Sequence, residues 1–154
     1  MRTEHDKCTT DVFNIGDILY GTSYMYGNIT YYYRVVGRTA KRLKLKELQK
    51  SYSDPQMRNS ISCTSMPVLE YPWDRPSPDG HKVRAFFEGH PYWDGIGADD
   101  TVVEADVQCV RYVDSYTDHE EYGPWRYQAK VRGKGKYFPL LEKWDGRSGS
   151  EICT

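Results

Sequence analysis

The chain has 154 residues, enough for one domain with a sizeable core. Only 38% of residues are hydrophobic while aromatics reach 14%, so large rings must supply much of the burial. Charged residues make up 28% yet cancel to a net −1, which excludes a global field towards nucleic acid or membrane and leaves local segregation of charge.

No apolar run approaches the roughly 18 residues of a spanning helix, and the opening MRTEHDKCTTD has no apolar stretch of the secretory kind. Cys8, Cys63, Cys109 and Cys153 lie 44 to 55 residues apart without a C-x-x-C pair, a usage that fits reduced thiols in a cytoplasmic protein. A zinc site drawn from them with His81 and His90 would lack local ligand pairs, so neither metal nor cofactor is expected.

In chain order, residues 1–10 read as a flexible lead. Phe13 and Ile15 share one parity, Ile18 and Tyr20 the other, and the switch at Gly16-Asp17 predicts a β-bulge returning them to one face. Six of the fourteen tyrosines fall between Gly16 and Thr39, where rings either pack or present flat faces to a ligand. Tyr31, Tyr33 and Val35 are expected inside, with Tyr32, Arg34, Val36 and Arg38 outside. RLKLKEL then puts Leu43 and Leu45 inward and Arg42, Lys44 and Lys46 outward. Only Ala40 and Lys41 part these two runs, which predicts a tight hairpin.

The 51–80 segment dissolves into Ser, Pro and Asn and reads as one long loop. Lys82 to Glu88 forms a short alternating run. In TVVEADVQCVRYV, Val103, Ala105, Val107, Cys109 and Val113 share a face, with Glu104, Asp106 and Gln108 opposite. Tyr127, Ala129 and Val131 alternate with Arg126, Gln128, Lys130 and Arg132, and Gly133-Lys134-Gly135 turns the chain into a strand over Tyr137–Leu141. Residues 147–154 read as a flexible end. The pattern predicts an all-β fold in a single domain, 1–154. A small curled sheet or Src-homology-like barrel, formed by an N-terminal meander, packs with a C-terminal antiparallel meander.

GDILYGTSYMYGNITYYYRVV, followed by a basic hairpin ending in KLKEL, resembles a group of small bacteriophage and mobile-element proteins. Gly16, Asp17, Ile18, Leu19 and Tyr20 match their opening strand. Tyr32 or Tyr33 with Val35 and Val36 match the second, and Trp93-Asp94-Gly95 or Trp144-Asp145-Gly146 a frequent turn. Their usual Ser-Trp-Gly-Tyr loop appears without its Trp, as Thr22-Ser23-Tyr24-Met25-Tyr26. The likeness covers about a third of the chain. It implies a mobile-element origin and a small curled sheet, and it brings no catalytic residue.

Three Trp-Asp pairs, at Trp73, Trp93 and Trp144, are spaced too unevenly for a repeat, so each reads as a turn with its Trp anchored. An exposed Trp93 would instead suit a protein interface. Arg34, Arg38, Lys44 and Lys46 with Tyr32, and Arg126, Lys130, Arg132, Lys134 and Lys136, form two basic clusters. With Tyr24 and Tyr26 in the first loop, they supply the cations and rings that single-stranded nucleic acid needs, although such cations also serve as edge protection. The 99–121 segment gathers carboxylates, among them Asp114, Asp118, Glu120 and Glu121, which suit docking on a basic protein groove as a phosphate mimic. His90, in EGHPYWDG near Glu88 and Asp94, has no ordered nucleophile beside it, so catalysis is not expected. The expectation is a cytoplasmic, non-enzymatic phage accessory protein that binds a host macromolecule. It would contact RNA or single-stranded DNA through the Tyr/Lys/Arg surface, in an anti-CRISPR-like setting. The alternative is a protein-binding inhibitor using the acidic segment.

Overall fold

The computed structural model describes residues 10–25, 27–53, 63–67, 92–93, 101–110, 113–114, 121–122 and 125–153. These hold a 3₁₀ turn at Thr10–Val12 and the strands β1 (Ile18–Ser23), β2 (Gly27–Arg38), β3 (Arg42–Glu47), β4 (Lys50–Tyr52), β5 (Cys63–Pro67) and β6 (Tyr92–Trp93). After them come β7 (Val102–Val110), β8 (Val113–Asp114), β9 (Glu121–Tyr122), β10 (Arg126–Val131), β11 (Glu142–Lys143) and β12 (Gly149–Cys153). The fold is all-β. No helix among the described residues is long and apolar enough to cross a membrane.

Six strands run antiparallel in the order β10-β7-β3-β2-β1-β11. Ala129 of β10 and Leu141, just ahead of β11, exchange N–H···O bonds of 2.8 and 2.9 Å, which nearly closes the sheet into a barrel. Closure matters because an open edge would expose unpaired backbone. The interior holds Phe13, Leu19, Tyr33, Val35, Leu43, Leu45, Ala105, Ala129, Val131 and Leu141, all nearly or fully buried. Each large side chain there contributes about 1.5–3 kcal/mol relative to exposure. Both predicted meanders therefore share one core, joined edge to edge.

β3 alternates as expected, with Leu43 and Leu45 inside, and β10 puts Ala129 and Val131 inside; its Gln128, expected on the outer face, is buried as well and donates Nε2–H to Glu142 at 3.1 Å. A three-residue loop closes the β2–β3 hairpin, its Thr39 Oγ1 accepting the Lys41 and Arg42 N–H groups at 3.3 and 3.1 Å. The start of the chain forms the expected β-bulge but buries the other parity. Gly16 N–H donates to Val35 O at 2.8 Å and Val35 N–H to Asp17 O at 2.9 Å, so Gly16 and Asp17 together oppose one residue. Asp17 N–H also donates to Asn14 O at 3.0 Å, and Gly16 takes φ +99°, where a side chain is strained. Leu19 and Gly21 consequently face inward, while Ile18 and Tyr20 are half-buried on the outside and Ile15 is exposed.

Further along, no strand spans Tyr137–Leu141. Residues 132–140 form a loop in which Phe138 packs on Tyr31 and Tyr33, at ring centroid distances of 4.8 and 6.3 Å. Loop and barrel meet closely at Gly21, where a Cβ would stand 2.7 Å from Leu140 O.

β2 is long enough to serve two sheets. β3 leaves its edge at Tyr33, Leu48 N–H bonds Tyr32 O at 2.8 Å, and β12 takes the same edge at Gly27 and Asn28. The second sheet then continues β12-β5-β4-β6. Residues 147–154 thus include a strand, and 51–80 contains β5, because β2 would otherwise carry unpaired backbone beyond the barrel.

Candidate nucleic-acid interface

The second sheet covers the face of β2 that parity assigned to solvent, and what it buries is polar. Tyr32 and Thr30 are fully buried, and Ser65, Ser51 and Glu151 nearly or fully so. One Glu151 carboxylate oxygen accepts Thr30 N–H at 3.0 Å and Ser65 Oγ–H at 2.7 Å; the other takes Lys50 Nζ at 2.8 Å. Lys50 also donates to Thr30 O at 3.0 Å and lies over the Tyr52 ring, 5.3 Å from its centroid. Tyr32 donates its hydroxyl to Ser65 O at 2.8 Å and accepts Gly149 N–H at 3.0 Å. Tyr32 is therefore no contact residue, which corrects the outward reading. Its phenol is pushed up to about 12, chiefly because burial disfavours the phenolate. Every named group in this network is satisfied, so the chamber is built for cohesion.

The outer face of β3-β7-β10 sorts charge by strand. Arg42 Nε and Nη1 reach Asp106 and Glu104, each at 3.3 Å, and Arg132 Nε reaches Asp106 from the other side at 3.2 Å. Two carboxylates of the 99–121 segment are thus internal partners of the cations beside them. Exposed pairs of this kind add little stability each, about 0–1 kcal/mol. Elsewhere in that segment, Asp114 and Glu121 are register partners in the β8–β9 ribbon. Asp118 and Glu120 lie outside the described residues.

Among the other predicted cations, Arg38 donates to Phe13 O and Arg126 pairs with Glu142. Arg34 and Lys46 are half-buried and engaged. Lys44 and Lys130 are exposed and make no ion pair among the described residues. Lys134 sits over the Phe138 ring at 5.5 Å and Lys136 over Tyr137 at 5.0 Å, both exposed to solvent. Tyr24 is 71% exposed. Tyr26, His81, His90 and Cys8 lie outside the described residues, while Trp93 pairs through its backbone with Ser51. Trp144-Asp145 forms the expected anchored turn: Trp144 Nε1–H donates to Arg147 O at 2.7 Å, and its ring meets Tyr32 edge-on.

The two loops predicted separately meet at one end of the barrel. β1 ends at Ser23 and β10 at Val131, and the registers through β11 place both termini at the same rim. Eight large hydrophobics are exposed among the described residues, and six of them belong to this end: Tyr24, Met25, Ile29, Val102, Tyr137 and Leu140. Beside them the run Arg132–Tyr137 is exposed at every position and holds three cations. No carboxylate occurs anywhere in 132–140. Clustering of these apolar groups was not legible in advance, since Ile29, Val102 and Leu140 lie far apart in the sequence and meet only through the strand pairing.

Cys109 is disulfide-bonded, which corrects the expectation of four reduced thiols; Cys63 is free and buried. No cluster of metal-ligating residues occurs among the described residues. No protein-family model, curated protein or solved structure matches the chain.

Proposed function

We propose that this chain is a non-enzymatic binding protein that holds single-stranded nucleic acid, RNA or DNA, at the loop end of its barrel. The observation behind the reading is the exposed run Arg132–Tyr137, with three cations and an exposed ring. Cations neutralise phosphates there while Tyr137 and Tyr24 offer faces to bases. Phe138, wedged against Tyr31 and Tyr33, holds the run in place, which reduces the ordering entropy of binding.

The setting we propose is an accessory protein of a bacteriophage or mobile element, acting in the host cytoplasm against a nucleic-acid-directed defence system in an anti-CRISPR-like manner. Its support is the likeness of the opening strands. In that reducing compartment the Cys109 disulfide would be open.

Fluorescence anisotropy with a labelled single-stranded oligonucleotide tests the contact. Three phosphate-binding cations give a log–log salt slope of about −2. Tyr137→Ala should weaken binding about tenfold or more, and Lys134→Ala with Lys136→Ala should weaken it and flatten the slope. Absence of any complex at low salt would remove the reading. Capture of a host protein that survives nuclease treatment, and is lost on reversing Asp114, Asp118, Glu120 and Glu121, would move the contact to the acidic segment.

A further inference from the structure

On the outer face of β3, beside the hairpin, a surface cleft of about 470 Å³ is lined by Thr39, Ala40, Lys41, Arg42, Lys44 and Glu104. We infer that it is a second anion site, shaped for a phosphoryl group. Three cations face one carboxylate there, a net charge of +2.

Arg42 is the organised element of the cleft. Its Nε is held by Asp106 and its Nη1 by Glu104, leaving the other N–H groups of the guanidinium to a ligand. Asp106, outside the lining, and Glu104, in the cleft wall, do for the arginine what outer-shell partners do for a metal ligand: they hold its orientation before the ligand arrives. Lys41 and Lys44 flank it as exposed cations with no ion pair among the described residues. The hairpin beneath is fixed by the Thr39 hydroxyl, which accepts both the Lys41 and Arg42 N–H groups.

The cleft volume lies within the range of small-ligand pockets, about 300–1,000 Å³. No ring lines it, so nothing there stacks on a base, and the recognised part of the ligand is its oxyanion. A free pyrophosphate-like species and the phosphorylated end of a strand carry that same group. The site does not depend on the loop-end reading.

Calorimetric titration of the whole chain with pyrophosphate at low ionic strength tests it. The expected result is saturable one-to-one binding, weakened more than tenfold by Lys41→Ala with Lys44→Ala and unchanged by Lys134→Ala with Lys136→Ala. Absence of saturation, or wild-type affinity in the Lys41/Lys44 variant, overturns the proposal. A second arm compares oligonucleotides with and without a 5′-phosphate on the Lys134/Lys136 variant. A preference for the phosphorylated end that Lys41→Ala removes identifies the strand end as the source. Saturable pyrophosphate binding without such a preference identifies the free species, and either outcome upholds the site.

Discussion

Glu151 is a carboxylate buried to 6% exposure with three donors gathered on it, and Lys50 is the charge that balances it. Replacing it by Gln keeps the shape but strands the half-buried Lys50 ammonium. Such a change costs about 3–5 kcal/mol, readable as a lowered urea midpoint, and pairing it with Lys50→Met should recover much of the loss. Tyr32 gives a pH signature. Burial raises its folded pKa to about 12 from an ordinary 10.0, so above pH 10 the unfolded chain releases a proton that the folded one keeps. Stability is full below pH 10 and falls between pH 10 and 12. Burial also raises Tyr33, which deepens the fall. Urea midpoints of Tyr32→Phe should decline less steeply across that window than those of the parent.

Among the elements, β2 explains both the success and the failure of parity. Alternation located Tyr33 and Val35 in the core, since a barrel strand needs one apolar face. It gave no sign that the other face was also covered, because Tyr32 and Thr30 are buried by polar partners from β5 and β12 that lie 33 to 121 residues away. Gly-Ser-Glu-Ile-Cys at 149–153 reads as an ordinary polar end, and only pairing with β2 and β5 makes it a strand. The rim was partly legible: Tyr24, Lys134 and Lys136 were named, whereas their coming together depends on how β11 joins β1 to β10. Two glycines mark where elements touch. A Cβ on Gly149 would stand 2.5 Å from Thr30 and 2.6 Å from the Tyr32 hydroxyl, so Gly149→Ala should force β12 away and lower the melting temperature. The loss is about 1–3 kcal/mol or more. Gly21→Ala pushes instead on Leu140 O; it should displace the 132–140 loop and weaken oligonucleotide binding beyond what its effect on stability explains.

For the molecule as a whole, the barrel and the polar chamber differ in what holds them. Hydrogen exchange should therefore find β4, β5 and β12 opening at lower free energy than β3, β7 and β10, whose interior is apolar. Cys109 lies at the end of β7 remote from the rim, so reductant should lower thermal stability while leaving oligonucleotide affinity unchanged. Equal melting curves with and without reductant would show the bond to be idle. β2 is a party wall: one surface belongs to an oily room, the other to a wet-chemistry room whose far side is the chain's last strand. Expressed as two fragments cut after Tyr52, neither piece has a complete interior. Each should be degraded alone, and a native fold should return only when both are made together.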